Sequence, residues 1–174
     1  MKSLAFLIIL TLTMKKFVLA VAIMALGASA RAQSISLLNL TNLTSLNNKQ
    51  AADDITARKV FKLQSGEELD GFLVETYQTA APRNKVESVI VGKGYKLASG
   101  GVLYTVTYTS ANEQDVINLM GQAKSINVKQ TFHGADAYDN IYIFDSFLYR
   151  VVVRIRLDGS RSVINISQKQ VLIG

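Results

Sequence analysis

Between Tyr149 and Ser167 apolar and polar side chains alternate on both sides of one Asp158–Gly159 dipeptide, and no other feature constrains the fold as tightly. Asp-Gly suits a two-residue type I′ turn, because both central residues need positive φ and the turn's twist matches the strands it joins. Such a turn sets the register: Arg156 faces Arg161, Val153 faces Ile164 and Val151 faces Ile166. Strand side chains point alternately to the two faces. Tyr149, Val151, Val153, Ile155 and Leu157 therefore make a core-facing set, and Arg150, Val152, Arg154 and Arg156 line the other face. Two arginines oppose each other near the turn, which is mildly unfavourable unless an anion lies between them.

Upstream, Val86 to Val91, Val102 to Tyr108, Ile126 to Phe132 and Ile141 to Phe144 carry the β-branched and aromatic residues of strands. The Gly92-Lys-Gly94 connection lacks the Gly-Lys-Ser/Thr ending of a phosphate-binding loop and reads as a strand turn. Ser110, with Glu113 three residues on, signals the start of a helix whose Val116, Ile117, Leu119 and Met120 share a face up to Gly121. A shorter amphipathic helix is expected from Asn48 to Arg58, and a polar loop around the single proline, Pro82. The stretch from Arg58 to Tyr77 has two readings. One is a hairpin turning at Ser65-Gly66, favoured by its aromatic and β-branched residues; the other is a helix capped by Ser65, which Gly71 disfavours. The fold class expected is α+β, mostly β: an antiparallel sheet with one or two helices packed on it, ending in the C-terminal hairpin at Asp158-Gly159.

The N-terminal 32 residues read differently. Lys15 and Lys16, the apolar run Phe17 to Leu26, and the small residues up to Ala32 have the order of a secretory signal peptide cut before Gln33, with Met14 an alternative start. Neither this run nor the earlier one from Leu4 to Thr13 reaches the roughly 20 residues needed to span a bilayer. The lysine-led signal, the Ala-Arg-Ala-Gln junction and the lack of cysteine resemble exported bacterial proteins, particularly those of Bacteroidota. The resemblance covers the signal alone and implies a periplasmic or secreted location. Residues 33–48, rich in Leu, Asn and Thr, are expected as a flexible arm, or as a segment whose leucines dock on a partner or on the domain itself. Residues 49–174 are then one globular domain.

Charge narrows the partners. The chain has 19 Lys plus Arg against 13 Asp plus Glu, but Lys2, Lys15, Lys16 and Arg31 belong to the signal, which leaves 15 against 13. Such a balance gives no basis for nucleic-acid binding. Without cysteine, and with His133 as the one histidine, there is little for a catalytic triad and no metal motif; no cofactor is expected. Two local clusters stand out. Arg150, Arg154, Arg156 and Arg161 are candidates for an anion-binding strip suited to an acidic glycan, a lipid headgroup or an acidic protein segment. His133, Asp136 and Asp139, with Asp145 nearby, are weak catalytic candidates. The leading expectation is an exported non-enzymatic binding module; the alternatives are an envelope assembly component and an exported hydrolase using the carboxylates near His133.

Overall fold

The computed structural model describes residues 34–80 and 86–171, so the signal expected over 1–32 and the loop at Pro82 lie outside the described residues. From Ser34 onward the chain forms one compact unit. It contains helices α1 (Leu37–Leu43), α2 (Asn48–Ala57) and α3 (Glu113–Gln122) and strands β1 (Phe61–Leu69), β2 (Phe72–Thr79), β3 (Glu87–Lys96), β4 (Val102–Ser110), β5 (Lys129–Ala135), β6 (Asp139–Asp145), β7 (Tyr149–Arg156) and β8 (Ser162–Gln168).

The strands form one antiparallel sheet in the order β1-β2-β3-β4-β8-β7-β6-β5. The first half is two helices followed by a four-strand meander, the second half α3 followed by another, and the halves join last strand to last strand, β4 against β8. The three helices pack on the sheet, as the α+β reading requires. Val89, Val106, Tyr108, Val151, Val153, Ile164 and Ile166 meet Leu37, Leu40, Leu43, Ile55, Val116 and Leu119 in a continuous core. A buried carboxylate sits at its margin: Glu87 accepts hydrogen bonds from Tyr108 Oη (2.9 Å) and Ser34 Oγ (2.6 Å). The alternate side chains face away from the core. At the centre of the sheet these are hydroxyls and amides, such as Ser88 bonded to Thr109 (2.6 Å) and Thr107 donating to Asn165 (2.8 Å).

The leucine-rich segment is not a flexible arm. Leu37–Leu43 is helical, and Leu37, Leu40 and Leu43 are buried in the core, the docked alternative. Its polar residues oppose helix formation in mid-helix but favour it at the ends, where they bond free backbone groups. Ser36 and Asn39 make a reciprocal capping box on α1, and Asn47 and Gln50 do the same on α2. Over seven residues a three-residue leucine repeat does not drift far enough to leave the core.

Four other details depart from expectation. Phe61 to Thr79 is a hairpin and not a helix, but its turn is Asp70–Gly71, with φ of 52° and 75°; Ser65-Gly66 runs through β1 beside a bulge. Helix α3 starts after Asn112, while Ser110 ends β4 and donates from Oγ to Asp115 Oδ2 (2.8 Å). The C-terminal hairpin has the expected register, with Val153 opposite Ile164 and Val151 opposite Ile166, but only Gly159 of its turn has positive φ. Leu157, expected in the core, is 57% exposed because the strand ends at Arg156.

Candidate anion-binding site

At one end of the sheet the β5–β6 turn lies beside the β7–β8 turn, tied to it by Leu157 N–H donating to Tyr138 O (2.9 Å). Pairing of β6 with β7 places Asp139 opposite Arg156, Ile141 opposite Arg154 and Asp145 opposite Arg150. The acidic loop and the arginine strip, two separate clusters in the sequence, are thereby interleaved. In the β5–β6 turn Asp136 Oδ1 accepts from the backbone N–H groups of Tyr138 and Asp139, each at 2.8 Å, closing an Asx-type turn. Those two donors, Tyr138 first, hold the Asp136 carboxyl below its usual range, and Arg154 and Arg156 lower it further.

The arginines face carboxylates, not one another. Arg154 Nη1 lies 3.6 Å from Asp136 Oδ2 and 3.7 Å from Asp139 Oδ2; Arg156 Nε lies 3.7 Å from Asp139 Oδ1 and 4.0 Å from Asp158 Oδ1. For Arg156, one of the two arginines expected to oppose each other, the anion is supplied by the protein itself. Arg156 also lies over the Tyr138 ring, 5.7 Å from its centroid, at a spacing that favours cation–π attraction. None of the ion pairs reaches hydrogen-bonding distance, so the guanidinium N–H groups are only loosely engaged.

An open pocket of about 340 Å³ is lined by Asp139, Arg154, Arg156, Ser160, Arg161 and Val163. Two of its groups are under-engaged. Arg161 is exposed and makes no ion pair or hydrogen bond among the described residues. Asp139, its side chain only 10% exposed, holds a buried Oδ1 that accepts no hydrogen bond. A buried polar atom left without a hydrogen bond is costly, which makes this oxygen the most unusual group in the site.

Arg150 stands apart from the pocket. Its Nε is 3.2 Å from Asp145 Oδ1, and Lys169 Nζ contacts the same oxygen at 3.3 Å. Partial burial pushes the Asp145 carboxyl up, but hydrogen bonds from Arg150, Thr131 and Lys169 outweigh it and leave the group below its ordinary value. The four-arginine strip is therefore a three-arginine pocket and a separate ion-pair cluster.

The hydrolase candidates are divided in the same way. His133 pairs with Tyr142, on the opposite face from Asp139, and stacks on its ring with centroids 4.4 Å apart. Asp145 ends β6, six residues from Asp139, a separation of roughly 20 Å along an extended strand. Among the described residues no three His, Cys, Asp or Glu side chains group as a metal site would require. Sequence reasoning missed Tyr138 and Ser160. The signal that could have exposed the shared site is the short Ser146–Leu148 connection, which fixes the β6–β7 register. Comparison of the chain with protein-family models, curated proteins and solved structures gives no match.

Proposed function

We propose that the chain is an exported, non-enzymatic binding module that holds an anionic ligand in the pocket formed by Asp139, Arg154, Arg156, Ser160 and Arg161. One observation carries this reading: Arg161 stands unpaired at the wall of a pocket whose other two arginines engage their carboxylates only at 3.6–4.0 Å. Guanidinium groups present planar donor forks suited to carboxylate, sulfate or phosphate. Export rests on the Lys15-Lys16, apolar and small-residue succession before Gln33, and mass spectrometry of secreted protein should find Gln33 at the N-terminus.

The binding test is direct. Arg161→Gln should abolish binding of an acidic polysaccharide at low salt with melting temperature nearly unchanged, because an exposed, unpaired charge contributes little to folding. The pair Arg154→Gln with Arg156→Gln should also abolish binding, but with a lowered melting temperature, because it leaves the Asp139 carboxylate without its cations. Binding should weaken as salt rises and the Debye length contracts from about 10 Å at 0.1 M to about 3 Å at 1 M. Equal binding by wild type and variants would reject the site.

A second reading, assembly of copies or of an envelope complex, draws on edge strand β5, where Phe132 is 48% exposed. Exposed sheet edges invite pairing with another chain. The leucine segment no longer supports it, because those side chains are in the core. Size-exclusion chromatography that shows a monomer at high concentration would remove this reading.

A further inference from the structure

Among the described residues all three helices pack on one face of the sheet, and the other face is left to side chains alone. Across that open face strand pairing sets Phe132, Ile143 and Val152 in one row, with Ile141 in the next. Phe132 is 48% exposed and the three aliphatic side chains are half-buried. The Phe132 ring lies over Gly134, where a Cβ would come within 2.6 Å of it, so the glycine lets the ring rest against its own strand. Charges bracket this apolar strip at both ends. On one side Arg150 and Lys169 hold Asp145; on the other lie Arg154 and Arg156 with Asp139, and Arg161 on the same pocket wall. Arg150 and Arg154 are four residues apart on β7, about 13 Å along a strand, with Val152 between them. In both clusters the cations stand outermost: the Arg150 side chain is 56% exposed against 16% for Asp145, and that of Arg154 45% against 10% for Asp139. Asp136 and Asp158, in the turns at the far end, are the exposed exceptions. A partner arriving over β7 meets guanidinium groups before carboxylates.

On the reading of the pocket as an anion site, we infer that the anion belongs to a protein: an acidic segment with apolar side chains between its carboxylates, laid along β7 over Val152. Carboxylates at one end meet Arg150, those at the other meet Arg154 and Arg161, and the apolar side chains between them cover Phe132, Ile143 and Val152. The spacing suits such a segment, since about 13 Å is four residues of extended chain. Arginine forks bind carboxylates through paired hydrogen bonds, and arginine and aromatic side chains are the types that dominate binding at protein interfaces. A free anion or an acidic polysaccharide satisfies the arginines but leaves the strip in water, whereas a segment with both features also removes apolar surface from water. A second copy of this face would set its outward arginines against these, and like charges brought together across an interface disfavour that pairing.

Calorimetric titration of the folded protein with two synthetic peptides separates this inference from the reading beneath it. Both peptides carry an Asp pair at each end; the three central residues are Val-Phe-Val in one and Ser-Gly-Ser in the other. Wild type should bind the apolar-centred peptide at least about 10-fold more tightly, because it alone takes apolar surface out of water. Phe132→Ser should remove most of that preference and leave the affinity for the serine peptide unchanged, since Phe132 belongs to neither charged cluster. Val152→Thr, which keeps the branched shape, should shrink the preference by a smaller factor. Arg150→Gln should weaken both peptides, because the segment spans both clusters; unchanged binding would overturn the inference. Equal affinity of wild type for the two peptides also overturns it, while leaving an anion site. Tighter binding of dextran sulfate than of either peptide at matched charge overturns it in favour of a polysaccharide. A dimer of the protein alone that Phe132→Ser dissociates overturns it in favour of a second copy. If neither peptide nor dextran sulfate binds at low salt, the anion-site reading itself fails.

Discussion

Two Asp-Gly hairpins, Asp70–Gly71 and Asp158–Gly159, start from the same dipeptide and end in different turns. At Asp70–Gly71 both residues have positive φ and the ladder runs up to Leu69 opposite Phe72, as in a two-residue type I′ turn. At Asp158–Gly159 only the glycine has positive φ, Gly159 N–H donates to Arg156 O (3.2 Å), and the recorded β7–β8 pairing stops at Arg154 opposite Val163. The difference lies in the surroundings. The first hairpin lies at the edge of the sheet, and β1 is exposed along almost its whole length. The second is drawn sideways: Leu157 N–H bonds to Tyr138, and Arg156 pairs with Asp139 of β6. Local chemistry specifies a hairpin and its register, whereas neighbouring strands decide the turn. The wider turn is what brings Ser160 and Arg161 to the pocket.

The largest effect that can test this contrast is on packing. Ile164 of the second hairpin is fully buried opposite Val153, so Ile164→Ala should cost about 2–5 kcal/mol, read as a lowered midpoint in urea. Leu69 beside the first turn is 45% exposed, and Leu69→Ala should cost under about 1 kcal/mol, in line with the smaller apolar area it hides. Equal losses would mean that both hairpins belong equally to the core.

A smaller effect isolates the turns. Asp70 has φ of 52°, a left-handed conformation that aspartate tolerates better than alanine, so Asp70→Ala should destabilise by up to about 1 kcal/mol. Asp158 is not left-handed. Asp158→Ala removes exposed contacts alone, the hydrogen bond from Ser160 N–H (2.9 Å), that from the Ser160 hydroxyl and the 4.0 Å ion pair with Arg156, and should cost about half as much or less, with the difference visible in paired thermal melts. The reverse order would show that the two turns are alike after all.

Much of the sheet was legible in the sequence because strand alternation and the hairpin dipeptide are local signals. Val151, Val153 and Ile155 are buried and Arg150 and Arg154 exposed, as alternation requires. Asp70–Gly71 carries the same signal as Asp158–Gly159, but Ser65-Gly66 five residues earlier offers a competing turn, and local chemistry alone does not choose between them. The leucine segment is hard to read from composition because its Asn residues disfavour helix interiors, whereas Ser36, Asn39 and Asn47 act in the structure as caps. The site was half legible. Arg154, Arg156 and Arg161 could be named, as could Asp136 and Asp139, but their union depends on β6 lying beside β7, which no single segment encodes. Arg150 and His133 lie near these residues in sequence, but strand geometry sends them elsewhere.

The smallest expected effect is on acid response, and it sharpens the same contrast at the level of single hydrogen bonds. The Asp158 carboxyl is held below its ordinary value of 3.8 by the Ser160 hydroxyl first and the Ser160 backbone N–H next. Asp136, in the adjoining turn, is lowered by the N–H groups of Tyr138 and Asp139. A carboxylate whose folded pKa is depressed adds stability that is present above the unfolded value and is lost as pH falls through the folded one. The turns that frame the pocket should therefore stay intact at pH 5 and loosen only as acid is added below about 3.8, the unperturbed value. Carbon-detected NMR titration of the side-chain carboxyls should give midpoints under that value for Asp136 and Asp158. In the same window the amide signals of Ser160 and Tyr138 should move, while the Phe72 amide beside the first turn should hold, because that turn rests on backbone conformation and not on a carboxylate acceptor. Both carboxylates face solvent, so added salt should shrink the contribution of Arg154 and Arg156 while leaving the shorter hydrogen bonds in place. Midpoints at or above the unperturbed value would show that these bonds do not persist in solution, and the pocket would then lose the two turns that shape it.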